Sequence, residues 1–281
     1  MRLASYIADG QRTYGVVSDG GVVGIPDRLR TQYPTLKDAI AGQAIADIRR
    51  ACQGARPDHD IKAVQFLPLI PNFDKFLCVG INYRAHAAES GHAAAEKPNI
   101  FTKFHDCVVG HNGDILRPKI SVAFDFEGEL AVIIGKPGRY IKEENALSHV
   151  AGYTCCNDGS VRDFIKHSLI TGKNFPASTP IGPWMVTADE IPDPSRLTLV
   201  TRLNGQEMQR SGTDMLIHNV PQLIAYCSNF TALGPGDIIS TGTPEGIGAK
   251  RTPPVWMKNG DVVEVEISQI GILRSHVVGE R

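Results

Sequence analysis

From residue 71 onward, short apolar runs recur, and turn chemistry closes each one. FLCVGI stops at Asn82, glycines bound ELAVIIG, and AGYTCCND follows a helical segment around residues 143–149. WMVT, LTLVTRLNG and DIIST come next, then two runs, DVVEVEI and ILRSHVV, joined by SQIG as a closing hairpin. Runs of four to eight residues rich in Val, Ile and Thr are strand signals. One helical stripe interrupts them: Val220, Leu223, Ile224, Cys227 and Phe230 share a face, with Pro221 in the tolerant first turn. Many strands and few helices predict a β-rich α+β fold and argue against a doubly wound sheet.

The first 70 residues read differently. ADGQR and SDGG separate RLASYI, TYGVV and VVGI, which predicts a small antiparallel meander over residues 1–25. Leu36, Ile40, Ala44, Ile45 and Ile48 then recur at helical spacing, with Thr35 as cap, Asp38 at capping-box distance and an end near Gly54. ARPDHD reads as surface loop, and the proline-marked LPLIPNF closes the unit. The chain therefore divides into a small N-terminal domain, 1–70, and a larger domain, 71–281.

Composition excludes several classes. Across 281 residues, 29 Lys and Arg against 30 Asp and Glu leave a net charge of −1, unlike a protein that displaces counterions from nucleic acid. No apolar run reaches the roughly 18 residues of a membrane span, and MRLASYIADGQR has no apolar core of leader length. The six cysteines show no C-x-x-C and read as buried thiols rather than a disulfide scaffold or thiolate zinc site. A cytoplasmic protein without nucleic-acid or membrane partners is expected.

Chemistry concentrates in Asp125-Phe-Glu-Gly-Glu-Leu-Ala-Val-Ile-Ile-Gly. On a strand, Glu127 and Glu129 point the same way, and the apolar run behind them carries the strand into a core. Paired carboxylates there require a proton, a basic side chain or a metal ion. Acid-x-acid pairs also arise by chance, and Asp58/Asp60 and Glu264/Glu266 read as solvated surface. What distinguishes Glu127 and Glu129 is Asp158, another carboxylate at the end of an apolar strand. Three carboxylates suit a hard cation such as Mg²⁺ or Mn²⁺; the alternative is three unrelated surface acids.

Upstream, Asn82-Tyr-Arg-Ala-His-Ala-Ala-Glu89 reads as a short helix capped by Asn82, with His86 and Glu89 three apart on one face. A carboxylate beside an imidazole fixes and strengthens a general base, although such pairs also occur as exposed helix contacts. His92, His105, His111, His149, His167, His218 and His276 have no such partner spacing and read as structural or exposed. Lys173 stands in a loop where it could bind an anion or merely solvate a turn. The loop Thr241–Gly248 lacks a P-loop or dinucleotide spacing, but its amides and the Thr243 hydroxyl could hold a small carboxylate.

In order, FLCVGINYRAHAAESG, DFEGELAVIIG, AGYTCCNDGSVRD, GKNFPASTPIGPWMVTADE, PGDIISTGTPEGIG and the GDVVEVEI hairpin resemble the fumarylacetoacetate hydrolase family. The resemblance covers residues 71 to about 279. It implies a rolled, mixed β-structure, usually dimeric, with a small α/β cap domain. It implies that Glu127, Glu129 and Asp158 bind one divalent cation, Mg²⁺ or Mn²⁺. His86 and Glu89 would be the water-activating pair of a mobile lid, and Lys173 would meet substrate oxygens. Tyr83, Arg84, Gly242 and Thr243 would contact substrate. Where many relatives read N-D-V-S-A-R-D, this chain has Asn157-Asp-Gly-Ser-Val-Arg-Asp163, keeping the ligand beside a freer backbone. Leu169-Ile-Thr171 replaces the aromatic or basic pair that many relatives carry before G-K.

The implied chemistry acts on a small 2-oxo acid. Cleavage beyond C3 leaves electrons that become an enolate, which a cation stabilises. The leading expectation is hydrolysis of an acylpyruvate-type or related 1,3-dicarbonyl substrate. The alternative is decarboxylation of oxaloacetate, or decarboxylation and isomerisation of an oxo-diacid, through the same enolate. A silent, ligand-binding member is a remote third reading.

Overall fold

The computed structural model describes every residue except 92, so the expectation for His92 lies outside the described residues. The N-terminal meander forms as the turn signals require. Arg2–Ala8 pairs antiparallel with Gln11–Ser18, which pairs with Gly21–Gly24. Asp9 and Gly10 turn the first hairpin with φ of 49° and 75°, the left-handed geometry that matches strand twist.

The meander does not close a sheet of its own. Arg2 and Leu3 pair with Val186 and Met185 of the strand Thr179–Thr187, so residues on both sides of position 70 share one sheet of twelve strands. From Thr179–Thr187 that sheet runs through Val150–Asn157, Gly128–Ile134, Ile238–Ser240 and Phe76–Val79 to the edge at Ile100–Thr102. It is mixed, because Ile238–Ser240 and Phe76–Val79 run parallel.

Every residue of Gly128–Ile134 and Val150–Asn157 is buried. Ala131 and Ile133 face one core with Leu3, Ile40 and Met185, while Leu130, Val132 and Ile134 face another with Leu199 and Leu223. Burial on both faces explains why these strands read as unbroken apolar runs. A second sheet of five strands carries the closing hairpin, Val262–Ile267 with Gly271–Gly279. The result is a β-rich α+β fold with mixed sheets and a small helical N-terminal region.

Two helical expectations change in detail. Thr35 and Asp38 form the capping box, but the stripe splits into Leu36–Ala41 and Ile45–Cys52. The Tyr33 ring packs where a Cβ on Gly42 would sit, 2.2 Å from it, and Gln43 turns the chain with φ 55°. Ahead of them, Asp27–Gln32 forms a helix that the sequence did not mark. Val220–Phe230 forms as expected with a capping box at Asn219, yet Phe230 is exposed and meets Tyr226 edge-on. No helix among the described residues is long and apolar enough to cross a membrane.

Candidate active site

Strand register assembles the three acids. Gly128 lies opposite Asn157 in the antiparallel pair. Glu127 and Glu129, flanking the start of one strand, thus meet Asp158 just beyond the end of the other. The Asp158 N–H donates to Glu127 O at 2.8 Å, and the Glu127 N–H donates to Asn157 Oδ1 at 2.8 Å. One oxygen from each carboxylate lies within 4.8 Å of the others, and all three residues are buried. Gly159 is not a freer backbone: a Cβ there would stand 2.0 Å from Ser178 O, so close approach of two chain segments demands glycine.

Buried acids need compensation, and three bases supply part of it. Lys173 Nζ contacts Glu127 Oε2 and lies 2.7 Å from Asp158 Oδ2. Lys103 Nζ contacts Asp158 Oδ1 and the Lys173 carbonyl. Arg162 donates from Nε to Asp125 Oδ2 at 2.8 Å and from an Nη to Glu127 Oε1 at 2.6 Å. Four acids thus face three bases. Burial alone would raise the Glu127 carboxyl, but Lys173 and Arg162 hold it below its ordinary range. Among the described residues, Glu129 accepts only from Ser240 Oγ at 2.5 Å and Gly242 N–H at 2.9 Å. Burial first, then the charges of Asp158 and Glu127, push it well up.

A hard dication fits this donor set. The cluster retains an excess of acid, and its converging atoms are carboxylate oxygens, the hard donors that such an ion takes. Glu127, Glu129 and Asp158 are the residues that would hold it.

A cavity of about 670 Å³ opens over the acids, with His86, Arg162, Lys173 and Thr243 on its wall. His86 Nδ1 lies 3.1 Å from Glu89 Oε2, and Glu89 Oε1 accepts from the Gly246 N–H at 3.0 Å. The helix is Arg84–Glu89, with Tyr83 rather than Asn82 at the N-cap position and no side-chain cap. The Asn82 side chain instead ties distant loops. It donates to His218 O at 2.9 Å and Thr241 O at 2.8 Å, and accepts from the His218 N–H at 2.8 Å.

The substrate contacts expected of four residues separate here. Tyr83 is fully buried and Arg84 exposed, and neither lines the cavity. Gly242 is also absent from the wall; its φ of 95° aims its N–H at Glu129, where a Cβ would come 2.8 Å from Asn82 Cβ. Thr243 does line the cavity, but its hydroxyl donates to Gly128 O at 2.9 Å and accepts from Gln209 Nε2 at 2.8 Å.

Sequence reasoning missed Lys103, Asp125, Arg162 and Gln209. For Lys103 a signal existed: in Ile100-Phe-Thr-Lys, alternation puts Lys103 on the inward face with Phe101. For Arg162 it was proximity to Asp158. Gln209 bridges Gly128 and Thr243 from a strand of the other sheet, a pairing that no local pattern announces.

The family profile described as "Fumarylacetoacetate (FAA) hydrolase C-terminal" matches residues 75–278. The chain is 39% identical over 267 residues to the oxaloacetate tautomerase FAHD2A, mitochondrial, of Bos taurus, covering 92% of this chain and 84% of that one. A solved 5-carboxymethyl-2-hydroxymuconate delta-isomerase from Mycobacterium smegmatis superposes with a TM-score of 0.79 at 32% identity, over 100% of both chains. Maleylpyruvate hydrolase from Sphingobium sp. SYK-6, solved in complex with manganese(II) ion and pyruvate, gives 0.85 at 28% identity, also over 100% of both. Profile, relatives and geometry agree: the chain belongs to the fumarylacetoacetate hydrolase family.

Proposed function

We propose that this protein is a divalent-metal-dependent enzyme that moves a proton next to the keto group of a 2-oxo diacid, interconverting keto and enol forms. Mg²⁺ or Mn²⁺ would be held by Glu127, Glu129 and Asp158. The carrying observation is His86, paired with Glu89, on the wall of the same cavity as a buried triad of carboxylates. The choice of tautomerisation over hydrolysis leans on the relatives: an oxaloacetate tautomerase at 39% identity and a delta-isomerase at 32%. This reading takes up the isomerising branch of the expected alternative and moves C–C hydrolysis to second place. The manganese- and pyruvate-bound maleylpyruvate hydrolase keeps that second reading in view.

When bound, the cation would supply Lewis-acid polarisation of the 2-oxo and carboxylate oxygens. The chain does the rest. With Nδ1–H donated to Glu89, His86 keeps the Nε2 lone pair to take a proton from substrate carbon. Glu89 holds the ring in that tautomer and steadies the imidazolium that results, which gives its proton to the enolate oxygen to complete the enol; the reverse order returns the keto form. Lys173 Nζ and the Arg162 guanidinium, both on the wall, meet substrate oxygens beside the triad and offset their charge. The same reading includes the homodimer that the resemblance implies, with a light-scattering mass of two chains.

Product analysis tests this. Metal-stripped protein resupplied with Mg²⁺ is mixed with the enol form of oxaloacetate. Faster decay of enol absorbance, with the four-carbon skeleton intact by NMR, is the expected result. Pyruvate and CO₂ instead would make it a decarboxylase. Two acids from an acylpyruvate, with no effect on the enol, would restore the hydrolase.

A further inference from the structure

Lys103 is a buried ionisable group that offsets acid charge but has no part in the reaction described above. It is 3% exposed, with its side chain fully enclosed. Burying an ammonium costs several kcal/mol unless it is paired and hydrogen-bonded, so a lysine at an inward strand position breaks the local pattern for a reason found elsewhere. Its strand, Ile100–Thr102, is the edge that returns from the segment carrying His86 and Glu89. The ladder continues one residue further, as the Lys103 N–H donates to Phe76 O at 3.0 Å.

Its ammonium has two partners, Asp158 Oδ1 and the Lys173 carbonyl. The seam extends on both sides of that contact. Asn174 Nδ2 donates to Thr102 O at 2.9 Å, and the Phe104 N–H donates to Asn174 Oδ1 at 2.7 Å. Residues 102–104 are thus stitched to residues 173–174. Lys173 sits against Glu127 and Asp158, and a dication there would compete with it for those oxygens. Lys103, held from two directions on a strand, has no such competitor for the Lys173 carbonyl.

We propose that Lys103 is a positioning residue of the cation site: one ammonium aims the Asp158 carboxylate and, through the Lys173 carbonyl, sets where the Lys173 side chain begins. This rests on the proposed metal reading. Two effects oppose each other in it. Repulsion between the ammonium and a dication weakens binding, whereas fixing a ligand in place strengthens it. Partners that orient ligands are commonly worth 10–100-fold in metal affinity, and the two-sided seam favours orientation as the larger effect.

The experiment is titration of metal-stripped protein with Mn²⁺ by calorimetry, comparing wild type, Lys103→Met and Lys103→Met/Asp158→Asn. Lys103→Met is expected to bind Mn²⁺ about 10–100-fold more weakly. Without metal, the double variant should unfold at a higher temperature than Lys103→Met, because the unpaired carboxylate is gone. If Lys103→Met does not fold, the double variant is still expected to. Equal or tighter Mn²⁺ binding by a folded Lys103→Met would show mere charge offset and overturn the positioning role. A double variant no more stable than Lys103→Met would overturn the link to Asp158. Wild type that binds no Mn²⁺ would overturn the metal reading and this one with it.

Discussion

Glu89 spends its two oxygens differently: Oε2 orients His86, and Oε1 takes the Gly246 N–H. Glu89→Gln keeps an acceptor for Gly246 and removes the anion that steadies a charged imidazole. Turnover should fall by about 10²-fold or more, the scale of a positioned general base, while Mn²⁺ affinity stays at the wild-type value. Near-native turnover would remove the pair from the chemistry. His111, outside this pair, contributes to the pH dependence of stability. Burial first, then the nearby Arg274 charge, pull its pKa down to about 4, and the Arg274 N–H donates to Nδ1 at 3.1 Å. Below the ordinary value near 6.5 the unfolded chain binds a proton that the folded chain refuses, so this share of stability shrinks as pH falls toward 4 and changes no further below it. The full effect is at most about 3 kcal/mol, reduced by solvent around a part-buried ring. His111→Gln should flatten unfolding temperature against pH between about 6.5 and 4; an unchanged slope would place the acid sensitivity elsewhere.

At the scale of elements, the helix that bears His86 depends on a residue just outside it. Asn82 joins the start of that segment to the loops at His218 and Thr241, rather than capping the helix. Asn82→Ala leaves two carbonyls and an amide without these partners, a cost of about 2 kcal/mol. It also frees the segment's entry. Lower turnover with unchanged Mn²⁺ binding is expected, and loss of cation affinity would contradict an effect confined to the Arg84–Glu89 helix. Local patterns reached much of this level. The Thr35 capping box, the N-terminal hairpins and the closing Val262–Gly279 hairpin each rest on residues a few positions apart. The break at Gly42 was invisible because its cause, the Tyr33 ring, lies nine positions away and outside the helical stripe.

For the whole molecule, the same distinction separates what could be read from what could not. Glu127 and Glu129 announce themselves by strand periodicity, and Asp158 by closing an apolar run. Their compensating bases come from three separate segments: the edge strand for Lys103, and two short helices, Arg162–Ile165 and Leu169–Lys173, for the others. Only the strand order brings them together. The pattern of the sequence changes near residue 70, yet the Arg2–Val186 pairing extends one sheet across that position. On the proposed reading, this buried excess of acid is a seat for one dication. Crystals grown with Mn²⁺ test it most directly, through an anomalous difference map at the manganese edge. One strong peak among the carboxylate oxygens of Glu127, Glu129 and Asp158 is the expected result. A featureless map there, with Lys173 still seated on Glu127 and Asp158, would contradict it.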